Sequence, residues 1–331
     1  MAVRAALLAL APGPLATLQD RGRRGWQRFG VSSGGAMDLE ALEAVNALLG
    51  NPPDTAVVEF AWSGGEWEVR ATSCRLAVTG GDFALTVDGM ARPAYATMTL
   101  VPGQRLRIGA ASDAVWGYLA VARGFQVAPQ LGSRSTHLRA GLGGFGGRAL
   151  QPGDVLPLAA EQAPAGPERT LGRKAAAADA AVRVVLGPQD DYFEPGSLQT
   201  FLSAPYQITR EGDRMGYRLA GPALMHGRGY NIISDGVVAG SIQVPGTGQP
   251  IVLLMDRQPT GGYPKIATVV SADLGMVAQR RPGQTLRFRQ IGLGQARRLR
   301  VEYLEGLDGL PQQVRGIAPA DPARRPFWLK G

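Results

Sequence analysis

Cysteine, histidine and lysine are all scarce in this chain. The single cysteine, Cys74, excludes an internal disulfide and a cysteine-based metal cluster. The two histidines, His137 and His226, lie far apart and do not supply a zinc ligand set, so no metal is expected. Only three of the 35 basic residues are lysines: Lys174, Lys265 and Lys330. No apolar run approaches a membrane span, and no membrane partner is expected. The first apolar stretch, Ala5 to Ala11, has the minimum length of a signal peptide, but Pro12-Gly13-Pro14 follows at once. It reads as mature protein, and the expected location is the cytoplasm. A phosphate-cradling loop of the form G-x-x-x-x-G-K-[ST] is also missing.

Glycine and proline are abundant instead, at 46 and 24 of 331 residues, which points to many turns and short strands. Hydrophobic content of 45% and charged content of 19% fit a folded chain, and the length suggests two domains. The net charge of +8 suits a carboxylate or phosphate ligand or an acidic partner. The basic residues are scattered apart from Arg21 to Arg28 and Arg280 to Arg300, and no basic helix carries interleaved aromatics. Nucleic acid is therefore not an expected partner.

One helix is explicit. Asp38 is a good N-cap, Leu39, Leu42, Val45 and Leu49 share a face, and Gly50 then Pro52 stop the helix. From Arg75 to Val121, short β-type runs alternate with turn signals. Pro102-Gly-Gln-Arg-Leu-Arg-Ile108 is echoed by Pro282-Gly-Gln-Thr-Leu-Arg-Phe288, and more briefly by Pro152-Gly-Asp-Val-Leu156. Related barrels or one shared turn solution would each produce this repeat. The predicted fold is mainly β: two β-barrel-like domains with few short helices. The domains are 1–160 and 182–310, joined by an Ala/Pro-rich linker, 161–181, and followed by a loose tail, 311–331.

Two motifs match known patterns in letters only. Gly30-Val-Ser32-Ser-Gly34 has the spacing of a nucleophile elbow but lacks a buried strand before it and a helix directly after it. Gly141-Leu-Gly143-Gly-Phe-Gly146 has the spacing of a dinucleotide fingerprint but lies outside any βαβ unit.

The chemistry concentrates in Asp256-Arg257-Gln258-Pro259-Thr260-Gly261-Gly262-Tyr263-Pro264-Lys265. Lys265 supplies an ammonium in a chain that otherwise uses guanidinium; a solvated hairpin corner accounts for the segment equally well. Pro264 restricts Tyr263 to extended geometry, which predicts a lysine aimed at the Asp256–Gln258 cluster. Asp213-Arg214-Met215-Gly216-Tyr217 offers a guanidinium for gripping a carboxylate or phosphate, or for an internal ion pair. Gln243 and Gln258 can read an amide with donor and acceptor together.

These segments, together with Gln19-Asp20-Arg21-Gly22-Arg23 and Ser32-Ser33-Gly34-Gly35-Ala36-Met37-Asp38, resemble the KipA-like family. The family is also called allophanate hydrolase subunit 2 or the C subunit of 5-oxoprolinase. The resemblance runs from about Leu18 to about Phe288. This chain departs from the family pattern at Gly34-Gly35, where one glycine is usual, and at Pro259, where threonine is common. The resemblance implies a cyclophilin-like C-terminal barrel. It also implies one component, inactive alone, of an ATP-dependent 5-oxoprolinase that acts with a KipI-like partner and a third, ring-opening partner. In that reading ATP activates the lactam carbonyl as a phosphorylated species, and hydrolysis yields glutamate. Its relatives imply two alternatives. One is carboxyl transfer to urea or a similar amide, with biotin on a separate carrier. The other is non-catalytic regulation of a KipI-like kinase inhibitor. The expected catalytic residues are Lys265, Asp256 and Arg214. Gln243, Gln258, Thr260, Gly261, Gly262, Tyr263, Ser33 and Asp38 are expected to bind substrate.

Overall fold

The computed structural model describes residues 5–173 and 180–317. Lys174 and Lys330 lie outside the described residues, as do parts of the expected linker and tail.

The first half builds two antiparallel sheets. One has six strands, in the order Val155–Pro157, Ala6–Pro12, Ser63–Arg70, Arg105–Ala111, Phe83–Val87 and Met90–Arg92. The other has five, in the order Thr17–Gln19, Val57–Ala61, Trp116–Val121, Cys74–Thr79 and Thr97–Leu100. Side chains such as Leu7, Leu18, Phe60, Trp67, Leu76 and Leu106 form a core between them. Alternation along the strands explains the arrangement: Val58 and Phe60 enter this core while Val57 and Ala61 face the other way.

The second half forms a nearly closed, barrel-like sheet of eight strands. Its two edge strands, Thr285–Leu286 and Phe288–Gln290, are consecutive in the chain. The first pairs antiparallel with Tyr206–Gln207 and the second parallel with Val182–Val184. One short stretch therefore ties both edges, which removes the unpaired backbone of an open sheet. The mainly β expectation is met.

Helix α1, Leu39–Leu49, begins and ends as the sequence predicts. The Asp38 carboxylate accepts from Ala41 N at 3.2 Å, and Gly50 closes the helix at φ 68°. Leu42, Val45 and Leu48 on α1 enter a second core, which continues through Trp116 and Tyr118 into barrel residues Tyr217, Ile242, Val252 and Ile266. Thus the two halves share a hydrophobic core. A buried hydrogen bond crosses the same boundary: Trp116 Nε1 donates to Tyr217 Oη at 3.0 Å, and within the second half Tyr217 Oη donates on to the Ala278 carbonyl at 2.8 Å.

Among the described residues four further α-helices follow: α2 (Pro195–Ser203), α3 (Leu274–Ala278), α4 (Leu293–Asp308) and α5 (Leu310–Gln313). After α5, Arg315–Gly316 pairs with Arg169–Thr170. Of the stretch predicted as a loose tail, the part up to Ile317 is therefore held by backbone pairing, and the remainder lies outside the described residues.

The Pro-Gly repeat has a local origin. In Val101–Gln104, Gln151–Asp154 and Arg281–Gln284, the fourth N–H donates to the first carbonyl at 3.1, 3.1 and 3.0 Å. The glycines stand at φ 83°, 92° and 91°, as the third position of a type II turn requires. The fourth side chain also accepts from the first residue's N–H, at 3.1, 2.8 and 2.9 Å. The same turn launches strands in the six-stranded sheet and in the barrel, so one turn solution accounts for the repeat. Gly283→Ala is expected to cost about 1–2 kcal/mol through backbone strain, because open space surrounds this position. Urea unfolding would measure that loss, and Gly283→Asn should lose less.

Candidate functional site

The loop from Gln19 to Asp38 is pinned from several sides. The Asp20 carboxylate accepts from Gly22 N (2.8 Å), Arg134 N (2.6 Å), Ser133 Oγ (2.6 Å) and Ser135 Oγ (2.5 Å). Arg23 is buried beside it and donates to the Ser135 carbonyl, while its Nη1 has no partner. Gly143 and Gly144 pack against Ser135 and Thr136 so closely that a Cβ would clash. This accounts for the Gly141–Gly146 run as a packing loop, with no phosphate cradle needed.

Arg214 lies in the two-residue turn between strands Tyr206–Asp213 and Gly216–Ala220, where Asp213 pairs with Gly216. From there it crosses to the first half. Its Nε and Nη2 form a fork on Asp256, at 2.9 and 3.0 Å, and Nη2 also donates to the Gly35 carbonyl at 2.7 Å. Its Nη1 pairs with Glu59, a fully buried carboxylate that also accepts from Met37 N at 2.7 Å. Burial acts to lower the Arg214 pKa, but Asp256 and Glu59 outweigh it and hold the group above its ordinary value. Four of the five guanidinium N–H bonds thus go to protein groups. Of the two sequence-level readings, this geometry is the internal ion pair.

The Asp256 carboxylate is likewise engaged by the Arg214 fork, which makes it the ion-pair partner of a buried guanidinium. Arg257, which lies in the same motif segment but takes no role from the sequence, is less satisfied. It is buried, and its hydrogen bonds to the Val237 carbonyl, the Leu254 carbonyl and Ser33 Oγ are all 3.3–3.4 Å long. Burial pushes it down to about 10, with only Asp256 opposing. The adjacent Ser32 Oγ donates to the Arg257 carbonyl at 2.7 Å. Ser32 is therefore a loop tie, and a fluorophosphonate probe is expected to leave Ser32 and Ser33 unlabelled, as intact mass spectrometry would show.

Lys265 differs from expectation in direction. It opens strand Lys265–Val269, paired with Gln243 across a register shift. Its side chain is 2% exposed, and Nζ donates to Asp235 Oδ2 at 2.6 Å and to the Gly236 carbonyl at 3.2 Å, not to the Asp256–Gln258 cluster. The reason is backbone pairing: Asp235–Gly236 pairs with Thr260–Gly261, which carries Asp235 to the strand end. Asp235 is half exposed, and the Lys265 ammonium, with Gly236 N–H and Gln189 Nε2, holds its carboxyl below the usual range. No motif marks Asp235 in the sequence.

The remaining expected residues divide. Gln243 is buried against Gly261, donates to the Tyr263 carbonyl at 3.3 Å and lies beside Lys265. Thr260 and Tyr263 are exposed at the same strand end, with Gly262 half-buried between them. Gln258 is half-buried, and its side chain forms no hydrogen bond among the described residues. Ser33 joins this surface through Arg257. Asp38 does not: it is the half-buried cap of α1, and its Oδ2 accepts from Gln279 Nε2 at 3.0 Å. Among the described residues, no group of three or more His, Cys, Asp or Glu side chains is placed to hold a metal. No helix among them is long and apolar enough to cross a membrane.

The resulting surface carries a buried ammonium, a half-exposed carboxylate oriented by it, a weakly satisfied guanidinium and polar groups suited to an amide. It can steady a developing negative charge and accept a proton close by.

Comparisons with known proteins agree with the resemblance. The chain is 36% identical over 305 residues to the 5-oxoprolinase C subunit of Escherichia coli K12, covering 91% of this chain and 97% of that protein. The match to the 5-oxoprolinase C subunit of Haemophilus influenzae is 38% identical over 306 residues, covering 91% and 95%. The solved K. lactis urea amidolyase superposes with a TM-score of 0.85 at 26% identity, over 94% of this chain but 20% of that one. Residues 29–290 match the description "Carboxyltransferase domain, subdomain A and B". The chain belongs to this carboxyltransferase-domain family, on the branch of the 5-oxoprolinase C subunit.

Proposed function

We propose that this chain is one subunit of an ATP-dependent 5-oxoprolinase that opens 5-oxoproline to glutamate. The observation that carries the reading is near full-length identity of 36–38% to proteins of that name, against 26% to the much longer urea amidolyase. The Lys265–Asp235 pair supports it chemically. A lactam activated at its carbonyl oxygen gains negative charge there, which an ammonium offsets. Water attacking the carbonyl carbon must lose a proton, which a nearby carboxylate can take. The ring nitrogen leaves with a proton as the free amine of glutamate, and the phosphoryl group taken from ATP departs as phosphate. Gln243, Gln258, Thr260, Gly261, Gly262 and Tyr263 shape the amide-facing surface, and Arg257 with Ser33 faces the substrate carboxylate. Asp235 takes the role expected of Asp256, and Arg214 and Asp256 act by positioning the loop at Gly35.

The sequence carries no phosphate-cradling loop of the Walker type. The proposal therefore assigns completion of the ATP site to a KipI-like partner, with ring opening shared with a third partner, in the cytoplasm. The chain alone is then inactive. Carboxyl transfer to urea is the second reading, supported by the TM-score of 0.85 to urea amidolyase; it needs carboxybiotin from a separate carrier. Assaying the co-expressed complex with 5-oxoproline and ATP, and separately with urea and a carboxybiotin donor, separates the two. Glutamate release only by the complex supports the first. Urea-dependent decarboxylation of carboxybiotin without glutamate release supports the second.

A further inference from the structure

A cavity of about 640 Å3 lies where α1, α3, α4 and α5 meet the Tyr95 and Arg173 segments. Most of its charged lining is already engaged: Arg173 pairs with Asp113, and Asp273 pairs with Arg183. Arg280 is the exception. It follows Gln279, whose amide bonds Asp38, yet its own guanidinium forms no hydrogen bond or ion pair among the described residues, and its Nε is buried without a partner. Nearby, the Asp38 carboxylate accepts from Ala41 N and Gln279 Nε2, with the Glu40 N–H also acting on it, and still keeps acceptor capacity. Two phenols interact electrostatically with that carboxylate. Tyr95 Oη accepts from Gly80 N at 3.1 Å, and Tyr303 Oη forms no hydrogen bond among the described residues. Burial raises the Asp38 carboxyl above its ordinary value; Arg173 opposes this but is itself paired with Asp113.

One unspent guanidinium and one carboxylate interacting with two phenols, in a cavity of this size, suit a ligand carrying both charges. We propose that this cavity binds a small zwitterion of the α-amino acid class, its carboxylate on Arg280 and its ammonium at Asp38, Tyr95 and Tyr303. The inference does not rest on the proposed reaction or on the Lys265 surface.

Isothermal titration of the purified chain tests it, with L-alanine and L-glutamate as zwitterions and propionate and ethylamine as single-charge analogues. At least one amino acid is expected to bind, with each analogue about tenfold weaker or worse. Arg280→Gln and Tyr303→Phe are expected to weaken binding about tenfold at unchanged melting temperature, because loss of one charge-assisted partner typically removes that much or more. Lys265→Met should leave this binding intact. The proposal is overturned if neither amino acid binds at millimolar concentration, if propionate binds as tightly as alanine, or if Lys265→Met abolishes binding while Arg280→Gln does not.

Discussion

Lys265→Met is expected to cut turnover of the assembled enzyme by about a hundredfold or more, the usual loss when one well-placed charge stabiliser is removed from a reaction centre. The fold should survive. Methionine keeps most of the apolar stem, and the Asp235 carboxylate left behind is half exposed, so water can take the place of the ammonium. Lys265→Arg keeps the charge but not its compact shape in a side-chain space that is 2% exposed, and should rescue poorly. A pH profile separates a chemical role from a structural one. Lys265 is the largest influence holding the Asp235 carboxyl below its ordinary range. Its ionised form is lost as pH falls through that lowered value. Without Lys265 the value rises, so the acid limb of any residual activity should move to higher pH. Normal turnover in Lys265→Met, or loss explained by a lower melting temperature, would make Lys265 a structural strand-end residue.

The largest effect on stability is expected at Arg214. Arg214→Met leaves Glu59 and Asp256 buried without their shared cation, and the Gly35 carbonyl without its donor. Breaking a buried pair in this way costs about 3–5 kcal/mol. Arg214→Lys should recover little, because one ammonium cannot fork onto Asp256 and still reach Glu59. The deficit should also depend on pH. Burial already raises Glu59 despite Arg214, and removing the arginine raises it further above its unfolded value. The variant's native state then binds a proton that the unfolded state releases, so its stability falls as pH rises from the unfolded value through the raised one. Urea unfolding should show a larger gap from the parent at pH 7.5 than at pH 5. A gap under about 1 kcal/mol at pH 7.5 would be below the cost of an unpaired buried carboxylate, and would remove Arg214 as the residue that fixes the loop to the barrel.

Local signals in the sequence are legible because the physics behind them is local. Asp38 caps α1 and Gly50 ends it, both through contacts within a few residues. The Pro-Gly turns close on their own fourth residue. The segment from Asp256 to Lys265 is placed by its glycines, and Gly261 does meet Gln243 as closely as a residue without Cβ allows. Partners distant in sequence are not legible. Nothing near Asp235 announces that backbone pairing with Thr260–Gly261 delivers it to Lys265 Nζ. Nothing near Glu59 marks it as the second carboxylate on Arg214, because it sits in an otherwise apolar strand, Val57–Ala61. Asp38 groups with the site by its place in the motif, whereas its backbone φ and its bond to Ala41 N commit it to capping. Arg257 lies inside the most informative segment, but burial is what sets it apart, and burial follows from how Ser33 and Val237 fold over it.

The most direct measurement is product analysis of the reconstituted complex. The chain is co-purified with the proposed KipI-like and ring-opening partners and supplied with 5-oxoproline and ATP, and glutamate and ADP are quantified. The account predicts glutamate and ADP in about equal amounts from the complex, none from the chain alone, and a loss of about a hundredfold or more with Lys265→Met. Glutamate formation by the chain without partners, or a complex that leaves 5-oxoproline intact, would contradict it.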